Sequence, residues 1–309
     1  MLNKPLRVLN FDDSVIKQRN LICRYNPQII DLKRIAPQAR FWMSPKIRDE
    51  IKKQIPASPE NAISLIGSGD FHHLSQLLIS QFMAPLSVIV FDFHPDWDKL
   101  PPRLGCGSWV SESLKNPNIV KFILAGVSST DISTGYLESA NLGSLRDNRV
   151  EIYPYSHDPS LVFLRRIPQN ISLKVRNFIL FKMIYWSQLK GRELLGFFAS
   201  LLEHLPVKRV YISIDKDCLR KEYALTNWEE GLMSLDELLA VLKLIKEKLE
   251  IVGADIVGDY SPVRVKGRLK AILSRLDHPR GIEAQKYPEY HISAINEKTN
   301  LQIIETLNS

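Results

Sequence analysis

The chain has 309 residues, 45% hydrophobic and 24% charged, with 14 glycines and 18 prolines. That balance excludes a disordered chain or a fibrous repeat, and no apolar run approaches the roughly 20 residues of a membrane helix. Asp12 and Asp13 interrupt the amino terminus where a secretory signal needs an unbroken apolar core, so a cytoplasmic protein with no membrane association is expected. Three scattered cysteines, Cys23, Cys106 and Cys218, fit neither a disulfide framework nor a thiolate zinc site. The formal charge of +7 suits an acidic partner, but the basic stretches at 46–53, 165–176 and 264–270 lack interleaved aromatics, which argues against nucleic acid.

Continuous apolar runs mark strands at Leu6–Leu9, Ile63–Ile66, Val88–Phe91, Val120–Leu124, Val150–Tyr153, Val210–Ile214 and Ile251–Val257. Runs without polar alternation belong to strands buried on both faces. Helical spacing occupies Leu74–Phe82, Glu193–His204 and Leu235–Leu249, and Ser234 with Glu237 forms a capping box before the last of these. The alternation predicts an α/β protein with a three-layer α/β/α arrangement and a mainly parallel sheet. One domain over 1–309 is expected, with sites at the carboxyl ends of the strands. The basic, hydrophobic stretch 159–192 reads as an insertion near the site mouth, and Ile292–Ile304 as a final strand or terminal arm.

Three strand ends carry the chemistry. Val88–Phe91 runs into Asp92, His94 and Asp96, whose alternate spacing puts three ligands on one side of an extended chain. Val210–Ile214 runs into Asp215 and Asp217, and Ile63–Ile66 into a glycine-containing loop, Gly67-Ser68-Gly69-Asp70-Phe71-His72-His73. Four aspartates (92, 96, 215, 217) and two histidines (94 and one of 72/73), with no thiolate, are more ligands than one ion requires. They suggest two hard divalent cations, manganese first, with zinc, iron or cobalt as alternatives.

These motifs, in this order, resemble those of the arginase, agmatinase and ureohydrolase superfamily, with weaker similarity at Glu230–Ser234 and Asp255–Asp259. The resemblance implies one manganese ion on His72 (or His73), Asp92, Asp96 and Asp215 and a second on Asp92, His94, Asp215 and Asp217. His72 is the preferred ligand, with His73 behind it. Asp96, which would orient the attacking water, His73 and Asp259 form the implied catalytic set; Asp259, Trp109 and Ser108 are the implied substrate contacts.

Two departures bear on the substrate. The loop Lys99–Trp109 has no histidine where free-arginine enzymes carry Asn, Ser and His residues that grip the α-groups, and the late-strand glutamate is missing, with Asp259 its nearest acidic substitute. The run Phe91–Trp97, with Cys106–Val110 after it, is similar to a divergent branch that includes the peptide arginases. Arginine-containing precursor peptides, with an acidic leader, are the partners this implies; the product is ornithine, and urea is released. Family members often form homo-oligomers. Other readings are a ureohydrolase of small guanidino compounds, an amide hydrolase, and a non-catalytic peptide-binding protein that keeps its metals.

Overall fold

A computed structural model describes residues 4–57, 61–99, 103–163, 166–277 and 283–308. Its strands, in chain order, are β1 (Leu6–Asn10), β2 (Gln28–Asp31), β3 (Trp42–Met43), β4 (Ile63–Gly67), β5 (Leu86–Phe91), β6 (Leu104–Gly105), β7 (Ile119–Ala125), β8 (Val150–Tyr153), β9 (Ser160–Phe163), β10 (Leu173–Asn177), β11 (Phe181–Trp186), β12 (Arg209–Asp215) and β13 (Glu250–Val257). Eight of these form a sheet in the order β2-β1-β4-β13-β12-β5-β7-β8, and every pairing in it is parallel.

The continuous apolar runs are explained by two cores, one on each face of this sheet. Val88 and Val90 of β5 join the core that includes Leu77, Trp109 and Phe122. Their neighbours Ile89 and Phe91 join the opposite core, with Phe198, Leu238 and Ile303. Because successive side chains point to opposite faces, a strand covered on both sides must be apolar throughout. Helices Leu194–Glu203, Leu235–Lys248 and Glu289–Asn308 pack on the second face, completing the three layers.

The end of the chain differs from the expectation of a strand: Glu289–Asn308 is one long helix. Its buried positions, Ile292, Asn296, Glu297, Thr299, Asn300, Ile303, Ile304, Thr306 and Leu307, follow helical spacing. Five of them are polar, which hides the stripe from a hydrophobicity reading. The amide of Asn296 bonds both backbone groups of Leu225 at 3.0 and 2.8 Å, so its burial is compensated. The stretch 159–192 contains a small antiparallel sheet, β10-β11-β9, whose Ile184 and Trp186 enter the first core.

The capping box is formed as expected. The Glu237 amide donates to Ser234 Oγ at 3.2 Å and the Ser234 amide to Glu237 Oε2 at 2.7 Å. Ser234→Ala should therefore lower unfolding free energy by about 1 kcal/mol, read as a lower urea midpoint with an unchanged slope; an unmoved midpoint would deny the cap any energetic role.

Candidate metal centre

The site is assembled where β4, β5 and β12, close together in the sheet, end on the same side. After β4 the chain makes a 3-10 turn, Gly69–Leu74, in which residues three apart lie on one face. Gly69 and His72 consequently both face Asp215: a Cβ on Gly69 would lie 2.6 Å from Asp215 Oδ2, and His72 Nδ1 is 3.6 Å from the same oxygen. Phe71 turns the other way and stacks on Phe11 at 4.7 Å. After β5, the chain leaves the extended form that alternate spacing suggested. The His94 amide closes onto Asp92 Oδ1 at 2.7 Å and Asp96 takes a left-handed φ of 46°, so a turn brings the three ligands together. After β12, Asp217 sits on a short 3-10 turn with its amide on Asp215 Oδ1 at 3.1 Å.

Two ligand groups result, His72 with Asp92 and Asp96, and Asp92 with His94 and Asp217, sharing Asp92. His72 Nδ1 lies 3.0 Å from Asp92 Oδ2 and 3.2 Å from Asp96 Oδ2. His94 Nδ1 lies 3.0 Å from Asp217 Oδ2 and 3.7 Å from Asp92 Oδ1.

The surrounding hydrogen bonds decide what these atoms offer. Ser213 Oγ donates to Asp255 Oδ1 at 2.8 Å, so it must accept from His72 Nε2, also at 2.8 Å. That places a proton on Nε2 and turns the Nδ1 lone pair toward carboxylate oxygens. His94 is held alike, with Nε2 3.2 Å from Glu229 Oε2. Acceptors thus converge on acceptors in a buried place, an arrangement that only a proton or a cation reconciles.

In the chain alone, protons fill that role. Burial opposes charging of His72 and His94, yet their carboxylate neighbours hold both imidazoles well above the ordinary range. Asp92 falls to about 2 against the effect of burial, because both histidines bond to it. Burial and the Asp92 charge push Asp96 up to about 6 and Asp217 up to about 7, and burial with the Asp217 and Asp92 charges pushes Asp215 well up. Hard divalent cations fit this set of oxygens and one imidazole per group better than protons do.

The remaining expected residues lie elsewhere. His73 is fully buried, and burial with the Lys270 and His72 charges lowers it to about 3; it belongs to neither of the two ligand groups and does not line the cleft. Trp109 is also fully buried. Its Nε1 donates to Asp96 Oδ2 at 2.7 Å and its ring lies 4.8 Å from that of His72, so it holds a ligand rather than a substrate. Ser108 lines the cleft, but its hydroxyl donates to Arg103 O at 2.6 Å and accepts the Gly105 amide at 3.1 Å. Residues 100–102 of the same loop lie outside the described residues.

Asp259 is 1% exposed and accepts from Lys216 Nζ at 2.9 Å, Gln18 Nε2 at 2.7 Å and Asn300 Nδ2 at 3.4 Å. It ties β12 to the C-terminal helix and does not line the cleft above the ligands. Its neighbour Gly258, at φ 89°, lies so close to the ligands that a Cβ would be 2.4 Å from Asp215 Oδ1, leaving the strand end without a side chain toward the cleft.

Glu229 and Asp255 escaped the sequence reading. Asp255 carried a signal, an acid inside an apolar strand and, once registers are known, directly opposite Ser213. Glu229 carried none, since it lies in a loop. Above the ligands is a cleft of about 500 Å³ with Trp42, Trp228 and Glu229 on its walls.

The architecture and site define an arginase-fold protein. The model of the arginase family matches residues 164–271, which include Asp215, Asp217 and Asp255. An uncharacterized protein of Thermotoga maritima is 26% identical over 263 residues, covering 85% of this chain and 83% of that protein. Entamoeba histolytica arginase, solved with L-ornithine, superposes with a TM-score of 0.57 at 12% identity over 100% of this chain and 99% of its own. Trypanosoma cruzi formiminoglutamase, solved with Mn2+, gives 0.53 at 10% identity over 98% and 94%. The fold is that of the arginases, and over the matched segment the sequence is similar to the arginase family.

Calorimetric titration of the chelator-treated chain with manganese should show two ions bound and a raised melting temperature. Asp92→Ala should abolish both binding events and His94→Ala one; a single event in the wild type would break the two-group assignment. Lys216→Ala, which strands a buried carboxylate, should cost about 3–5 kcal/mol in urea unfolding. Asp259→Asn should also lower stability; if it instead left stability intact and raised KM, Asp259 would be a substrate residue after all.

Proposed function

We propose that the chain is a dinuclear-metal hydrolase that converts arginine side chains of a peptide to ornithine and releases urea. The observation that carries this reading is the pair of ligand groups sharing Asp92 at the floor of an open cleft. A guanidinium carbon is a poor electrophile, and two bound divalent ions would supply the polarisation and the ionised water that its hydrolysis needs.

The chain's own residues prepare that step. The Ser213–Asp255 pair and Glu229 orient the two imidazoles. Trp109 fixes Asp96, and the Phe93 amide, 3.0 Å from Asp217 Oδ1, fixes Asp217. The Glu229 carboxylate and the Trp228 ring, 5.4 Å from that of His94, give the cleft wall an acid and an aromatic face suited to a planar cation. In the overall reaction the water oxygen joins the guanidinium carbon, the bond from that carbon to the side-chain nitrogen breaks, and the nitrogen leaves protonated.

A peptide is favoured over free arginine by the commitments of the cleft loop. Ser108 and Trp109 spend their polar atoms on the loop and on Asp96, and Gly258 offers no side chain. An internal arginine has no free ends to be gripped. The natural partner in this reading is a precursor peptide with an acidic segment, modified in the cytoplasm.

The test is urea release by manganese-loaded protein from an arginine-containing peptide, free arginine and agmatine in parallel. Metal-dependent urea from the peptide alone is expected, abolished by chelation and by Asp217→Ala. Turnover of free arginine or agmatine instead would assign a small guanidino substrate, and no urea from any of them would reject the reaction.

A further inference from the structure

The segment from 160 to 192 contains seven lysines and arginines and no aspartate or glutamate, in a chain with 41 basic and 34 acidic residues. The entire formal excess of charge therefore resides there. The basic stretches at 46–53 and 264–270, which the sequence groups with it, are offset by acids elsewhere.

This segment builds β9, β10 and β11, and the small sheet is apolar on both faces. Ile184 and Trp186 point into the core. The register sets Phe181 opposite Phe163, Met183 opposite Arg176 and Tyr185 opposite Lys174 on the other face, where the Arg176 guanidinium lies 5.0 Å from the Tyr185 ring centroid. Antiparallel sheets with one solvated face ordinarily make that face polar. Here Phe163 is 57% exposed, and the turn joining β10 to β11 presents Phe178, Ile179 and Leu180 at 48, 99 and 70%. Such a contiguous apolar surface ringed by one sign of charge marks an interaction site.

The sheet is also rooted at the cleft. Ser160 Oγ donates to Ile132 O at 2.6 Å and the Leu161 amide to Thr134 Oγ1 at 2.9 Å, while Thr130, Asp131 and Tyr136 of the same stretch line the cleft.

We infer that the outer face of β9–β11 docks an acidic polypeptide segment bearing apolar anchor residues. The inference deepens the proposed function and rests on its polypeptide substrate: the segment is held on the sheet while an arginine elsewhere in the same chain enters the cleft. A second copy of this chain would bring the same uncompensated positive charge against itself. A bilayer would use the tip residues and leave unused both the face along β11 and its connection to the cleft rim.

The probe is a fluorescein-labelled peptide of repeated Glu-Glu-Leu-Phe units ending in Gly-Arg-Gly, followed by anisotropy with the manganese-loaded full chain. Binding is expected to weaken with salt and to fall roughly tenfold or more in Lys174→Glu/Arg176→Glu and in Ile179→Ser, all at exposed positions. In the urea assay the same variants should raise KM for this peptide, leave kcat unchanged, and leave a short Gly-Arg-Gly peptide unaffected. Equal binding by wild type and variants would overturn the assignment, as would absence of binding at low salt. So would a wild-type dimer in light scattering that Ile179→Ser dissociates, or sedimentation with phosphatidylserine vesicles without peptide binding. Sheet-dependent peptide binding with no urea from any substrate would uphold the docking surface and reject the reaction alone.

Discussion

The structure turns on the gathering of four carboxylates and two imidazoles at the carboxyl ends of the inner strands of a parallel sheet. Like charges at such separations in a weakly polar surrounding are costly, and compensation has to come from protons, cations or hydrogen-bond donors. Among the described residues, donors stand at the periphery: backbone amides of Phe93, His94 and Asp217, and the indole of Trp109. At the centre the two Nδ1 atoms face carboxylate oxygens, and in the chain alone protons on the imidazoles fill that place. The outer polar groups are accordingly arranged around the ligands as props, and much of the loop chemistry in the surrounding turns follows from this one demand.

Lys216 and Asp259 show the same constraint answered differently. Lys216 lies between the ligands Asp215 and Asp217, and Asp259 just past β13; both are almost completely buried, yet here the charges are opposite and two further donors, Gln18 and Asn300, complete the carboxylate. The result is a structural post between β12, the first part of the chain and its last helix. Two acids just past the ends of the adjacent strands β12 and β13 thus have unlike fates: Asp217 faces the cleft and Asp259 faces the scaffold.

Much of this was legible in the sequence. The seven buried strands announce themselves as unbroken apolar runs, and the three ligand motifs stand directly after them because strand ends are where a parallel sheet opens. The choice between His72 and His73 depended on a 3-10 turn that spacing alone does not reveal. The C-terminal helix is hidden by polar residues on its buried face, and the resemblance that implies a substrate role for Asp259 carries no information about the direction of its side chain. Trp109, implied as a substrate contact, instead uses its indole nitrogen to hold Asp96. Glu229 depended on the path of a long loop, which local patterns do not determine.

The Ser213–Asp255 contact reaches across two neighbouring strands, and its partner on one side is the His72 imidazole. A slip of β12 against β13 by a single residue would send Ser213 to the opposite face of the sheet and release His72 from its tautomer. Ligand geometry is therefore a readout of the register of β12 against β13. A chain that closed these two strands out of register would present a misaligned His72, so cation binding at this site would report correct pairing of the sheet.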